Sequence, residues 1–561
     1  MTVDDALADL VPMPLVARPH PGRFWLGTDT PVHAERGAEV EAAAVRRVLP
    51  VLAVPPERSA DAPDGDGSIY VGRAKDLATE AYRLFIGPNR VRVEAGGPAG
   101  AYYAAQTLRQ LVGDDAWRAV PAANLWAVPC AEVRDAPVLA WRGAHLDVAR
   151  HFFPKQTLLD FIDVIAAHKL NRLHLHLTDD QGWRVESRRY PALHEVGSYR
   201  PRTMVSLASK EAPAYDDTPH GGYYTLADLS EVAAYAAQRM VTVVPAIDVP
   251  GHTSALLAAL PEFGCGPATD YEVATEWGIF DRLVSPLPKT VDFLAEVLDE
   301  LLGAVPARYV HIGGDEAVLD RWRQDAEVED YRRSLGLVSA EALHAHFLRE
   351  LADVLAGYGA RAVVWDEGFT NAQRVHTDEA QANTTQPPQT RLRPDTVVMA
   401  WHGMQTALRA AAAGHDVVVT PEDTTYFDHD QADDDREPLA ITGPTRAEAV
   451  AGFRPVPPDW PAEAATRVLG TQFQLWTEYI PDRRALEYMA FPRACVLAEV
   501  AWTGAAVPWA SLRPRLAAHL GRLAALGVEY RPLEGPRPWQ EGGTGLRRHR
   551  RPVPLTTDAH P

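Results

Sequence analysis

From about residue 139 onward this chain repeats one unit, a short apolar run followed by a longer stretch with helical spacing. Eight such runs lie at 141–148, 172–177, 241–247, 308–312, 360–365, 396–401, 416–420 and 468–476. Helical periodicity is clearest between them at 155–169, 226–239, 289–302 and 340–355. Short runs that stay apolar without alternating read as strands buried on both faces, which is the state of a parallel sheet. Eight of them alternating with helices predict a closed (β/α)8 TIM barrel. A doubly wound open sheet is the competing arrangement, but no GxGxxG opens a helix in this region.

The first 135 or so residues read as a separate small α/β unit. Tyr82 to Ile86 and Val91 to Glu94 alternate like paired strands around Gly87-Pro88-Asn89, and 99–112 has an amphipathic helical pattern. The expected organisation is a small α/β domain at 1–135, the barrel at 136–510, and a last helix with an extended tail at 511–561. A hydrophobic content of 46% and a charged content of 23% describe a globular chain. A net charge of −20 argues against a nucleic-acid partner, because phosphates need a basic surface. No segment is long and apolar enough to span a bilayer, and residues 1–23 lack a basic region followed by an apolar one. A cytoplasmic location is therefore expected, without a membrane partner. Cys130, Cys265 and Cys495 lie far apart and have no metal-ligand spacing. Segment 376–394 reads as a surface loop, and its Asn383-Thr384-Thr385 acceptor pattern as chance. The acidic run within 431–437 reads as solvated.

Barrel chemistry sits on the loops that follow the strands. After the eight runs stand Asp147/Arg150, Asp179/Asp180, Asp248/His252, Asp315/Glu316, Trp365/Asp366, Trp401/His402, Tyr426/Asp428 and Trp476/Glu478. Indole faces stack on pyranose C–H surfaces while carboxylates and a guanidinium hold hydroxyls, so this mixture points to a sugar pocket. Asp315 and Glu316 follow Gly313-Gly314, glycines that admit a substrate close to the backbone. Neighbouring carboxylates in a partly dry cleft have divergent pKa values, as acid–base work requires. A helix N-terminus would also favour such a pair, and the segment alone leaves both readings open.

Several motifs recur in one order: Arg142-Gly143 with Asp147-Val148-Ala149-Arg150-His151-Phe152, then His174-Leu175-His176-Leu177-Thr178-Asp179-Asp180-Gln181-Gly182-Trp183. These are followed by Ile247-Asp248-Val249-Pro250-Gly251-His252, His311-Ile312-Gly313-Gly314-Asp315-Glu316 and Leu475-Trp476-Thr477-Glu478. With Gly100-Ala101-Tyr102 and Gln106-Thr107-Leu108 upstream, the chain resembles glycoside hydrolase family 20, the β-N-acetylhexosaminidases, from about residue 82 to 538. The resemblance implies an exo-acting enzyme for terminal GlcNAc or GalNAc β-glycosides. Its mechanism retains configuration because the substrate's 2-acetamido carbonyl attacks C1, with no cofactor and no metal. It makes Glu316 the general acid and then base, Asp315 the group that orients the acetamido N–H, and Tyr426 the donor to the acetamido carbonyl. Arg150, Asp428 and Glu478 would hold hydroxyls, and Trp365, Trp401 and Trp476 would wall the subsite. Asp179 and His252 would stand behind Glu316.

Two departures accompany the match. Ala246 stands where the family usually has Glu, which removes a carboxylate near the pocket floor. Cys265 lies where secreted relatives often form a disulfide, and its counterpart here is Ser285. The rival readings are a metal-dependent amidohydrolase barrel, on the strength of His174 and His176, and a catalytically impaired N-acetylhexosamine-binding protein. The loop-like segment 199–222 is expected to rim the leaving-group side.

Overall fold

The computed structural model describes residues 3–49, 67–208, 213–266, 271–370, 391–441 and 443–543. Eight parallel strands close a barrel in chain order: Trp141–Asp147, Arg172–His176, Thr242–Val249, Tyr309–Gly313, Arg361–Trp365, Val397–Ala400, Val417–Val419 and Val468–Phe473. Helices Lys155–Ala167, Leu226–Ala237, Pro288–Ala304, Ala340–Gly357 and Met404–Ala412 lie between strands, and Arg493–Thr503 follows the last. The strands are buried on both faces, outward against the helices and inward against one another. Val244, Tyr309, Val363, Val397, Met399 and Val418 fill the interior with Trp141 and Trp365. The seam depends on Gly470, where a Cβ would lie 1.8 Å from the Trp141 carbonyl oxygen. Strand eight ends at Phe473, earlier than its apolar run. The Gln474 N–H instead donates to Thr425 O, and Phe427 N–H donates to Gln474 O. That exchange draws Tyr426 to the rim beside Trp476.

The N-terminal unit is a six-stranded sheet in the order Val16–Gly27, Leu125–Asp135, Tyr82–Ile86, Arg90–Ala95, Ser68–Arg73, Val32–Ala34, with helices Glu39–Val48 and Pro98–Val112 packed on it. The expected hairpin and helix are both present. The C-terminal helix, Trp509–Ala525, packs on Arg493–Thr503 and reaches the N-terminal unit, where Arg515 donates to Leu10 O and Arg522 to Asp9 O.

Two expectations need correction. Residues 527–543 are not an extended tail, because Arg531 pairs with buried Glu437 at 2.6 Å and Gln540 is fully enclosed. The acidic run is solvated at Asp433 but not at Glu437, which also accepts from Tyr488 OH. Asn383 and most of 376–394 fall outside the described residues.

Candidate active site

The backbone sets the site before any side chain does. Strand four ends in Gly313 and Gly314 follows it, both with positive φ, 68° and 97°. A Cβ on Gly313 would lie 1.7 Å from Asp248 Oδ1, so the glycine makes room for that carboxyl. Glu316 and His252 also have positive φ, 48° and 56°. Strained non-glycine residues of this kind concentrate where a side chain must be aimed.

His252 is the hub. Its Nδ1 lies 3.3 Å from Asp179 Oδ1 and 3.2 Å from Asp180 Oδ2. Its Nε2 lies 3.7 Å from Asp315 Oδ2 and 3.5 Å from Glu316 Oε2. Burial works against its charge, but Asp179, Asp180 and Glu316 outweigh it and hold the imidazole pKa well above its ordinary value. Asp179 is buried too, yet the charges of Arg150 and His252 keep its carboxyl well below the usual range. Arg150 meets Asp179 Oδ2 at 2.9 Å, donates to Gln181 Oε1, and lies 5.0 Å from the Trp476 ring centre.

The two central acids part company here. Burial, with Glu316's charge adding, pushes Asp315 up to about 6 against the pull of His252. Burial would raise Glu316 as well, but its hydrogen bond to His252 and the charges of His252 and Arg150 bring it below the ordinary value. On the far side of Arg150, burial lifts Glu478 to about 7 and, with Glu478's charge adding, raises Asp428 well above its usual range. Asp428 Oδ1 and Glu478 Oε2 have no hydrogen-bond partner, so both remain available to hydroxyls.

The aromatic wall is continuous. Tyr426 stacks at 6.2 Å on Trp401, and lies 6.5 Å from Trp476. Trp365 has no exposed surface and packs 5.9 Å from Trp476 and 4.7 Å from His311. Beneath them, His145, His174, His176 and His311 form a buried imidazole layer. Ala246 pairs in register with His176 and His311, which places the missing carboxylate at this layer. His174 and His176 do face the same way, as the metal reading required. However, the Nδ1 atoms of His145 and His174 are occupied accepting from Leu475 N–H and Gln472 Nε2–H.

All eleven expected residues therefore lie on strand ends around one cleft. Three further acids belong with them. Asp180 anchors His252 and accepts from Ser254 N–H. Asp248 has both oxygens buried without a partner, and burial with the charge of Asp315 holds it well above the usual range. Glu367, raised by burial and by Asp366, accepts from Trp401 Nε1 at 2.9 Å and so fixes that indole. Asp180 and Asp248 already stand among the strand-end residues of the sequence, without a role assigned there, and Glu367 adjoins one of them, Asp366, which was its available signal. Segment 199–222, expected to rim the leaving-group side, packs in its described residues against the end of strand eight and the loop after strand two. Met204 packs with Trp277, Leu439 and Tyr479, Tyr479 OH donates to Ser206 O, and Arg200 donates to Gln181 O. These contacts put the segment on the Arg150–Glu478 side of the cleft.

The sequence model described as "Glycosyl hydrolase family 20, catalytic domain" matches residues 139–505, and "Glycosyl hydrolase family 20, domain 2" matches 8–136. A β-hexosaminidase of Porphyromonas gingivalis is 34% identical over 487 residues, which is 86% of this chain and 58% of that protein. One of Akkermansia muciniphila is 34% identical over 450 residues, 79% of this chain and 83% of that one. Among solved structures, an exo-β-N-acetylglucosaminidase of Vibrio harveyi bound to N-acetylglucosamine matches with a TM-score of 0.77 at 30% identity, covering 94% of this chain and 78% of that chain. With the barrel, the paired acids and these matches together, the chain belongs to glycosyl hydrolase family 20 and is a glycoside hydrolase.

Proposed function

We propose that the cleft removes terminal, non-reducing N-acetylhexosamine, GlcNAc or GalNAc, from β-glycosides by exo action with retention. The observation that carries this reading is the adjacent Asp315–Glu316 pair, the first buried and the second half-buried, held against the His252 cation, with Asp315 Oδ1 left without a partner. That oxygen is free to accept an acetamido N–H. Tyr426, kept protonated because burial raises its pKa far above 10, donates to the acetamido carbonyl and aims its oxygen at C1. The C1–O bond breaks as that oxygen attacks, and Glu316 gives its proton to the leaving oxygen. Asp315, ionised, stabilises the oxazolinium. Water then attacks C1, Glu316 takes its proton, and the acetamide re-forms. Arg150, Asp428 and Glu478 hold the hydroxyls, while Trp401, Trp476 and the buried Trp365 behind them shape the pocket for the acetamido methyl and sugar face.

The decisive test compares an aryl N-acetyl-β-D-glucosaminide with the plain β-D-glucoside, using a thiazoline analogue as inhibitor. Turnover of the N-acetyl substrate alone, blocked by the thiazoline, is the expected result. Thiazoline binding without turnover of either substrate would instead favour an impaired binding protein. We also infer a reducing compartment. The isolated Gly264–Val284 bridge brings the segments of Cys265 and Ser285 side by side, so a serine stands where a second cysteine could pair, and the Cys265 thiol is free, with burial lifting it to about 12. Activity and antigen confined to the soluble cytoplasmic fraction would be the supporting result.

A further inference from the structure

Four groups of His, Cys, Asp and Glu among the described residues bring ligand atoms within 4.8 Å of one another. Hydrogen bonding closes three of them to a cation. In His145/His174/His176, His145 and His174 each accept at Nδ1, and Gln472 is oriented as the donor because its Oε1 accepts from Trp141 Nε1. The neutral rings therefore carry hydrogen on Nε2 and offer no lone pair there. In His168/Cys495/His519, His168 donates from Nδ1 to Val164 O and its Nε2 receives His519 Nε2–H at 2.7 Å, since His519 Nδ1 accepts from Arg522. In Asp179/Asp180/His252, both ring nitrogens face carboxylates and both carry hydrogen.

The fourth group is different. Asp366 grips His402 twice, accepting from its backbone N–H at 3.1 Å and from Nδ1–H at 2.7 Å. In the neutral ring that fixes the hydrogen on Nδ1 and turns the Nε2 lone pair toward Glu367. Opposite it, at 3.8 Å, lies Glu367 Oε1. Glu367 is 4% exposed, its Oε1 has no hydrogen-bond partner, and its Oε2 is held by Trp401 Nε1. Zinc–nitrogen and zinc–oxygen bonds of about 2.0–2.2 Å span about 3.4 Å across a tetrahedral angle, so a closure of a few tenths of an ångström suffices. The His402 side chain is 22% exposed, which gives a path from solvent.

We propose that His402 Nε2 and Glu367 Oε1 form a two-point site for a divalent first-row transition cation such as zinc(II) at the rim of the cleft. Asp366 orients the imidazole from behind, as carboxylates behind metal-bound histidines do, and water completes the shell. The site takes no part in the proton transfers proposed above, but Glu367 also holds the Trp401 indole, so its test reads metal binding and not turnover.

The experiment is calorimetric titration of the full chain with zinc(II), in parallel for wild type, His402→Gln and Glu367→Gln. Zinc-edge anomalous diffraction from wild-type crystals accompanies it. The expected result is one site weakened at least about 10-fold by either substitution, with the anomalous peak between His402 Nε2 and Glu367 Oε1. His402→Gln lies at the surface and does not threaten folding. Glu367→Gln keeps an acceptor for Trp401. An isotherm unchanged in His402→Gln, a peak elsewhere, or no zinc uptake at all would overturn the proposal.

Discussion

Asp315 and Glu316 are chemically near-identical neighbours that the fold pulls in opposite directions. Asp315, lifted to about 6, takes a proton as pH falls through that value and loses the charge its role needs. The expected outcome is an acid limb near pH 6 in kcat/KM. Asp315→Asn should remove this limb and cost about 10²–10³-fold in rate. A limb that persists unchanged in the variant would assign it to another group. Glu316 is held below its ordinary pKa in the free site, so its acid role needs a proton gained with the substrate. Its side chain is 22% exposed, and a neutral sugar that displaces water from it raises its proton affinity. Glu316→Gln should then slow poor leaving groups far more than activated aryl ones, because only the former need protonation. Equal losses on both, measured across a series of aglycones, would count against the assignment. The paired acids could be read from sequence because adjacency after a strand is a sequence property. Asp248 and Glu367 could not be ranked that way, because what distinguishes them is burial with an unpartnered oxygen, and spacing carries no burial.

At the scale of elements, the eight strands were legible because buried parallel strands read as unbroken apolar runs, such as Val417-Val418-Val419. The end of strand eight was not, because a hydrogen bond from Gln474 to the preceding loop, and not hydrophobicity, decides where its ladder stops. Segment 199–222 shows the same limit. Its composition marks a loop but not its side of the barrel, which the packing of Met204 on Trp277 and Tyr479 determines. Its neighbours are Gln181, which holds Arg150, and Tyr479, which follows Glu478. Trp277→Ala should therefore loosen the hydroxyl-binding side and raise KM by a similar factor for every leaving group. A change in leaving-group preference with terminal-sugar binding intact would return the segment to the aglycone side.

At the scale of the molecule, the sheet and the barrel meet at an ion pair that water does not reach. Lys169 Nζ lies 3.0 Å from Asp135 Oδ2, and both side chains are fully buried. Asp135 closes the last sheet strand, and Lys169 follows the first barrel helix. The two ends are not equally supported. Asp135 also accepts from Tyr82 OH, Trp502 Nε1, and the N–H groups of Leu15 and Ala136. Lys169 has Tyr82 OH and the faces of Tyr82 and Trp502, the latter at 4.4 Å, and burial already lowers its pKa. Breaking a buried pair from one side costs about 3–5 kcal/mol, largely as the penalty of the charge left behind. Lys169→Met leaves a carboxylate with four donors and should fall at or below the bottom of that range. Asp135→Asn leaves a buried cation whose one other acting carboxylate, Glu499, is already paired with Arg515, and should lower the unfolding midpoint further, while the double variant should recover part of the loss. Thermal and urea unfolding of the three variants decide the matter. If Lys169→Met is the more damaging, Asp135 depends on the lysine more than on its neutral donors, and the junction is held by charge alone.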